Sequence, residues 1–248
     1  MILTCDLHVH SALSPCADAE MTPGNIVAMA RLLDIDVVAI TDHQTCANCA
    51  AAIHLSEQSG GPLVIPGIEV ESQEEIHLVC LLPDLAAARK LEKIIRDHLP
   101  DIANRPDIFG EQIIYDESDQ PAGTEKQLLL QACSLDSESI ARLTAGLGGV
   151  CLPAHVDRDS YSILTVLGAI PPEFPAKTLE ISLCADLNRL LSRYPALKQY
   201  SLIRSSDAHR LSELAQAGWP IEVSIAENRP TAADVIRALN SEQITVNS

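Results

Sequence analysis

Asp6-Leu7-His8-Val9-His10-Ser11 places two histidines at i and i+2 inside an apolar, strand-like run near the start of the chain. Alternate side chains of a strand point to one face, so His8 and His10 project together, about 7 Å apart along the chain. Two imidazoles so placed are half of a metal site, although such a pair also arises by chance on a half-buried strand. Five later segments repeat the pattern of an apolar run that carries or ends in His, Asp or Glu. Ile35 to Ile40 leads into Thr41-Asp42-His43, Leu63 to Ile65 into Gly67 and Glu69, and Ile76 to Cys80 contains His77. Gly149 to Ala154 ends at His155, and Ser201 to Arg204 runs into Ser205-Ser206-Asp207-Ala208-His209. Six of the eight histidines thus fall on or just after strand-like runs, with His54 and His98 in helical contexts.

Helical signals alternate with these runs. Thr22-Pro23 is a cap followed by proline at the first helical position, with Ile26, Met29, Ala30 and Leu33 on one stripe. Asp84 to Asp97 and Ser137 to Leu147 carry similar stripes, and Thr231 to Asp234 is a capping-box pattern. The order is βα repeated about six or seven times, which predicts an α/β fold built on a parallel sheet or barrel. In such barrels functional groups gather at the carboxyl ends of the strands, so residues distant in sequence meet in one mouth. Mixed imidazole and carboxylate donors suit divalent Zn, Mn or Fe, and this set is too large for one tetrahedral ion, so two or three metals are expected.

Composition narrows the function classes. The chain has 248 residues, 47% apolar and only 3% aromatic, so its core must be built from small aliphatic side chains. A formal charge of −17 with no visible basic patch argues against sequence-independent binding to long DNA or RNA, whose phosphates need Lys and Arg, so no long nucleic acid is expected, while a short phosphorylated substrate stays open. No secretory signal and no apolar run of about 18 residues is seen, which predicts a cytoplasmic protein with no membrane span. The eight cysteines are expected as free thiols. Cys46-Ala47-Asn48-Cys49 has ligand-like or redox spacing but no second Cys pair to complete a zinc ribbon, and two ordinary thiols are the simpler reading.

No linker divides the chain, so residues 1–248 are expected to form a single domain. From about 100 to 125, Pro and Asp are frequent and 116–123 resembles a turn. This segment is expected to be an inserted loop or flap over one barrel face, with an ordinary surface excursion as the alternative.

The ordered set Asp-x-His-x-His-Ser, Thr-Asp-His, Gly-x-Glu, a following His, Pro-Ala-His and Ser-Asp-Ala-His resembles the PHP (polymerase and histidinol phosphatase) family across roughly residues 6 to 209. It is similar to the small stand-alone members, since nothing polymerase-like is attached. The resemblance implies a distorted (βα)7 TIM-like barrel with a trinuclear metal cluster that hydrolyses phosphate esters. It implies that His8, His10, Glu69 and Asp207 hold one ion, that Glu69 bridges to a second held by His77 and His155, and that His43 and His209 hold a third. The remaining ligand of the third ion falls in the loop 11–18, where the spacing departs from the family pattern. Asp18 is the first choice, Cys16 its rival, and neither the alternative. Asp6 and Asp42 are expected to orient neighbouring groups, with direct ligation by Asp42 left open.

Charge then dictates the chemistry. A metal-activated hydroxide can attack phosphorus while the cations neutralise the ester, and no side-chain nucleophile is needed. No Gly-x-Ser-x-Gly elbow or glycine-rich phosphate loop is present. Arg158, three residues after His155, and Arg105 in the expected flap are the candidates for binding substrate phosphate. The expected activity is hydrolysis of a small phosphorylated metabolite or short nucleotide, for example a 3′,5′-bisphosphonucleoside. Histidinol-phosphate phosphatase and a non-catalytic, metal-stabilised module are the alternatives.

Overall fold

The computed structural model describes residues 1–214, 218–224 and 229–241. In chain order the elements are β1 (Ile2–Val9), α1 (Pro23–Leu32), β2 (Val37–Ile40), α2 (Cys49–Ser59), β3 (Leu63–Glu71), β4 (His77–Leu81) and α3 (Leu85–Arg96). There follow α4 (Pro106–Phe109), β5 (Ile113–Tyr115), β6 (Pro121–Thr124), α5 (Ser137–Gly146), β7 (Val150–Pro153), α6 (Ile163–Leu167) and β8 (Thr178–Ile181). The last are α7 (Leu187–Arg193), a 3-10 turn at Pro195–Gln199, β9 (Ser201–Arg204), α8 (Leu211–Leu214), β10 (Trp219–Glu222) and α9 (Ala232–Leu239). This is a mixed α/β fold around a curled sheet. No helix among the described residues is long and apolar enough to cross a membrane.

The main sheet runs β10-β1-β2-β3-β4-β7, and β8 and β9 form a separate parallel pair. Backbone bonds tie that pair to both sides of the main sheet: Val156 donates to the Glu180 carbonyl at 2.8 Å, and His10 to the Ala208 carbonyl at 3.0 Å. β1, β2 and β3 are parallel as expected, but β4 pairs antiparallel with both β3 and β7. The connection from Glu71 to His77 is too short for the crossover that a parallel neighbour requires, so the chain turns back as a hairpin. Consequently the first residue of β4, His77, lies opposite Glu71 on the rim where β3 ends.

Two apolar clusters sandwich the sheet. One joins Val38, Ile40, Val64, Ile68 and Leu78 to the helices α1, α2, α3 and α5. The other fills the concave side with Leu3, Cys5, Leu7, Ala39, Ile65, Val79, Leu81 and Leu152, closed by Val235 and Leu239 of α9. A register shift in β1 decides which side the histidines take. From Asp6 to Val9, three steps along β1 match two along β2, from Val38 to Ile40. This β-bulge moves Val9 to the helix-side cluster although Leu3, Cys5 and Leu7 face inward, and so returns His8 and His10 to the concave side. Glu69 and His77 need no such device, since they alternate in step with the inward-facing Ile65, Val79 and Leu81.

The helices start where local chemistry directs. Thr22, Asp84, Asp136 and Thr231 cap α1, α3, α5 and α9, and Thr231 with Asp234 forms the full capping box. Within the 100–125 segment the β5–β6 hairpin braces the loop 11–18. Ile113 donates to the Ala12 carbonyl at 2.9 Å. Asn48 spans the Ile113 carbonyl and the Tyr115 amide. At the hairpin tip, Asp119 accepts from Thr22 Oγ1 and from the Gly24 amide, and a side chain at Gly24 would collide with that carboxylate.

Candidate metal centre

Glu69, near the end of β3 and 1% exposed, is the hub. Its Oε1 lies 2.9 Å from His77 Nδ1, 3.2 Å from His8 Nε2 and 3.6 Å from His155 Nε2. Its Oε2 lies 3.0 Å from His43 Nδ1 and 3.3 Å from His10 Nε2. Asp207, in the turn after β9, sets Oδ1 3.3 Å from His8 Nε2 and 3.2 Å from His10 Nε2. His209 stacks on His10 with ring centroids 4.4 Å apart. The structure therefore brings His8, His10, His43, Glu69, His77, His155, Asp207 and His209 into one mouth.

The groups behind these imidazoles set which nitrogen faces the centre. His8 directs Nδ1 at Glu180, 3.0 and 3.2 Å from its two oxygens. Ser14 Oγ donates to Asp42 at 2.7 Å and so accepts from His10 Nδ1 at 3.0 Å. His209 Nδ1 donates to the Asp207 carbonyl at 2.8 Å. Assigned this way, the neutral rings of His8, His10 and His209 all present an Nε2 lone pair inward. The His8 and His10 Nε2 atoms then face each other at 3.1 Å with no proton between them. Neither Glu69 oxygen has a hydrogen-bond partner, and both are buried. Converging lone pairs and an unsatisfied carboxylate are what divalent cations complete, so the donor set fits a metal cluster. Among the described residues, three triplets have donor atoms within 4.8 Å of one another: His8, His10 and Asp207; His43, Glu69 and His77; and His10, His43 and His209.

Without metal, protons take the cations' place. Burial opposes charge on His10 and His43, yet the surrounding carboxylates push both up to about 9. His8 is likewise raised, with Glu180, Asp207 and Glu69 outweighing its burial. Burial also opposes charge on Glu69, but His77, His8 and His43 hold its carboxyl well below the usual range. At the rim, burial and the charge of His10 lower His209 to about 4.

The remaining sequence candidates separate by position. Asp6 binds the Ser206 amide and hydroxyl, tying β1 to the turn that carries Asp207, and burial pushes its carboxyl up to about 6. Asp42 accepts from the Ser11 amide and from the hydroxyls of Ser11 and Ser14, so its oxygens are engaged away from the centre. Asp18 points outward, 3.5 Å from Arg210 Nε, whereas Cys16 lines the mouth together with His43. Arg158 lines the mouth and pairs with Asp207 Oδ2 at 2.7 Å. Arg105 is 62% exposed and pairs with Asp107, away from the mouth. Cys46 and Cys49 are buried outside it, their thiols pushed far up by burial, with Cys46 bonded to Glu92 and Cys49 to the Ile40 carbonyl.

Sequence reading missed Glu180 and Tyr161. The signal for Glu180 was a carboxylate inside the apolar strand Thr178-Leu179-Glu180-Ile181. Tyr161 stacks on His77 with centroids 4.5 Å apart, and its carbonyl accepts from the His77 amide. No pattern in its neighbourhood announced it. His155, Tyr161 and Asp207 all adopt positive φ, at 31°, 54° and 51°. Non-glycine residues there cost about 1–3 kcal/mol each and cluster at functional sites.

A sequence profile for the PHP domain matches residues 6–159. The 5'-3' exoribonuclease Rnm of Salmonella typhimurium is 30% identical over 176 residues, covering 68% of this chain and 57% of that protein. The crystal structure of a lesion-specific endonuclease from Pyrococcus furiosus superposes with a TM-score of 0.67 at 18% identity, over 97% of this chain and 56% of the other. Endonuclease Q in complex with a 27-mer duplex substrate bearing an abasic lesion gives 0.68 at 18% identity, over 96% and 56%. The chain thus spans a little over half the length of these proteins. These findings overturn the exclusion of long nucleic acid drawn from net charge, since a similar fold holds a DNA duplex and a relative is named for action on RNA. Net charge sums the whole surface, whereas phosphates are met locally by cations and a few arginines. The profile match, the relative and the ordered ligand motifs agree, and the chain belongs to the PHP domain family.

Proposed function

We propose that this protein is a metal-dependent phosphoesterase that hydrolyses phosphodiester or phosphomonoester bonds at the ends of nucleic acid strands. The observation that carries this reading is Glu69, a buried carboxylate without a hydrogen-bond partner and ringed by five imidazoles. His8, His10, Glu69 and Asp207 would hold one divalent ion, Glu69, His77 and His155 a second, and His43 and His209 a third with Cys16 beside them. Manganese, zinc or iron suits such donors. Ions bound there supply a water acidic enough to ionise near neutral pH and neutralise the ester.

The chain's own residues do the rest. Glu180, Ser14 and the Asp207 carbonyl hold the imidazole tautomers that keep lone pairs inward. Arg158, tethered to Asp207, is placed to meet a non-bridging phosphate oxygen with a guanidinium fork. Tyr161 shields His77 from solvent and offers a ring face at the rim. Substrate class rests on the relatives named for RNA and DNA.

The same reading treats residues 1–248 as one (βα)7-type barrel, with β8 and β9 bridging β7 to β1, and 100–125 as an insertion that supports the loop 11–18. Eight free thiols suit a reducing compartment such as the cytoplasm. The test is to strip the protein with EDTA, reload it with Mn, Zn or Fe(II), and assay 5′- and 3′-phosphorylated oligonucleotides, 3′,5′-bisphosphonucleosides and monophosphates. Metal-restored hydrolysis supports the proposal, and a fully loaded, folded protein that cleaves none of them contradicts it.

A further inference from the structure

Arg158 lines two cavities. One is the metal mouth, about 300 Å³, and the other is a neighbouring cavity of about 260 Å³ walled by the loop after His155 and by α7 with Tyr194. The second contains none of the residues assigned to metal. It contains Arg189 and Arg193, one helical turn apart on α7 and so on the same face.

Charge makes this pairing informative. Both arginines are exposed, with their side chains free to meet a ligand. Among the described residues, neither the Arg189 nor the Arg193 guanidinium makes an ion pair or hydrogen bond; Arg193 lies over the Tyr194 ring, 5.2 Å from its centroid. Three aspartates share the lining with the arginines, and none of them reaches the Arg189 or Arg193 guanidinium. Asp157 accepts from the Ser182 amide and hydroxyl, Asp186 accepts from the Arg189 amide, and Asp159 is exposed. Two guanidiniums on one helix face with no direct ion pair, beside an aromatic ring and sharing Arg158 with the metal mouth, can fork onto a phosphate that carries a stackable group.

We propose that this cavity is a second phosphate subsite, which seats the nucleotide next to the scissile phosphate of a single-stranded oligonucleotide. Arg189 and Arg193 take the adjacent phosphodiester, Tyr194 gives a face for its base, and Arg158 sits where the backbone passes between the two cavities. Its volume suits a phosphate with its sugar better than a whole drug-sized ligand. The proposal rests on the phosphoesterase reading and extends it from the reacting phosphate to chain recognition.

The test uses the full metal-loaded chain, wild type and R189A/R193A, with labelled pentathymidylate and pentauridylate followed by anisotropy, and bis(p-nitrophenyl) phosphate as a small reporter. The double variant is expected to weaken oligonucleotide binding about tenfold or more and to reduce the salt dependence of log Kd by about 1 to 2. It should raise KM for oligonucleotide hydrolysis while leaving reporter kinetics unchanged, and R189K/R193K should recover part of the affinity. Unchanged oligonucleotide affinity overturns the subsite, as does an equal loss on the reporter, which would mark a structural role. If wild type hydrolyses neither substrate, the phosphoesterase reading fails, while the anisotropy comparison still decides the subsite.

Discussion

His8 lies between two carboxylates from different strands, its Nδ1 3.0 Å from Glu180 of β8 and its Nε2 3.2 Å from Glu69 of β3. Glu180 also accepts from the His155 amide at 3.2 Å. One carboxylate thus orients one proposed ligand through its ring and another through its backbone. Glu180→Gln keeps an acceptor but removes the charge, and metal affinity should fall about 10- to 100-fold, with Glu180→Ala worse. Metal titration with turnover at saturating metal checks this, and native affinity in both variants would remove Glu180 from the site.

Glu69 is in contact with both halves of the cluster. Glu69→Gln should reduce hydrolysis by more than about a hundredfold and lower the number of bound ions, because the carboxylate common to the His8–His10 and His77–His155 groups is lost. Metal analysis beside a small-reporter assay reads both effects.

Cys16 and Asp18 compete for one role. Cys16 faces His43 while Asp18 faces Arg210. Asp18→Ala should leave the bound-metal count and turnover nearly unchanged, and Cys16→Ala should weaken the site formed by His43 and His209. Reversal of that order would show that the loop 11–18 rearranges when metal binds.

The metal-free protein should respond to pH in a characteristic way. His10 and His43 are raised from an ordinary 6.5 to about 9, so their contribution to stability is complete below pH 6.5 and is lost as pH rises to about 9. His209, lowered to about 4, acts oppositely: stability rises with pH between about 4 and 6.5. Asp6, raised to about 6, opposes His209 in that lower window, so the clear expectation for EDTA-treated protein is a loss of stability from pH 6.5 to 9. Metal must displace the protons on His10 and His43, so loading at pH 7 should release protons and tighten toward pH 9. Thermal melts across pH with a pH-stat titration test both, and a chelated protein that gains stability from pH 6.5 to 9 would contradict the assignment.

Much of the site was legible in residue order. Apolar runs ending in His43, Glu69, His155, Asp207 and His209 specify strand ends, and a barrel brings strand ends together, so the cluster could be named without coordinates. Caps at Thr22 and Thr231 were equally plain, because capping is local chemistry. Nucleic acid could not be judged from net charge, since a sum over the whole surface says nothing of where individual charges meet a phosphate.

The direction of His8 and His10 shows the boundary most clearly. Their spacing guarantees a shared face, and that follows from strand geometry alone. Which face it is depends on the bulge between Asp6 and Val9, because unbroken alternation from Leu3, Cys5 and Leu7 would bury Val9 inside and turn both imidazoles toward the helices. The pairing of β1 with β2 sets that extra residue, and pairing is a long-range contact. Residue types and order therefore name the candidate side chains, while the register between strands, set only when the whole sheet forms, points them at one another.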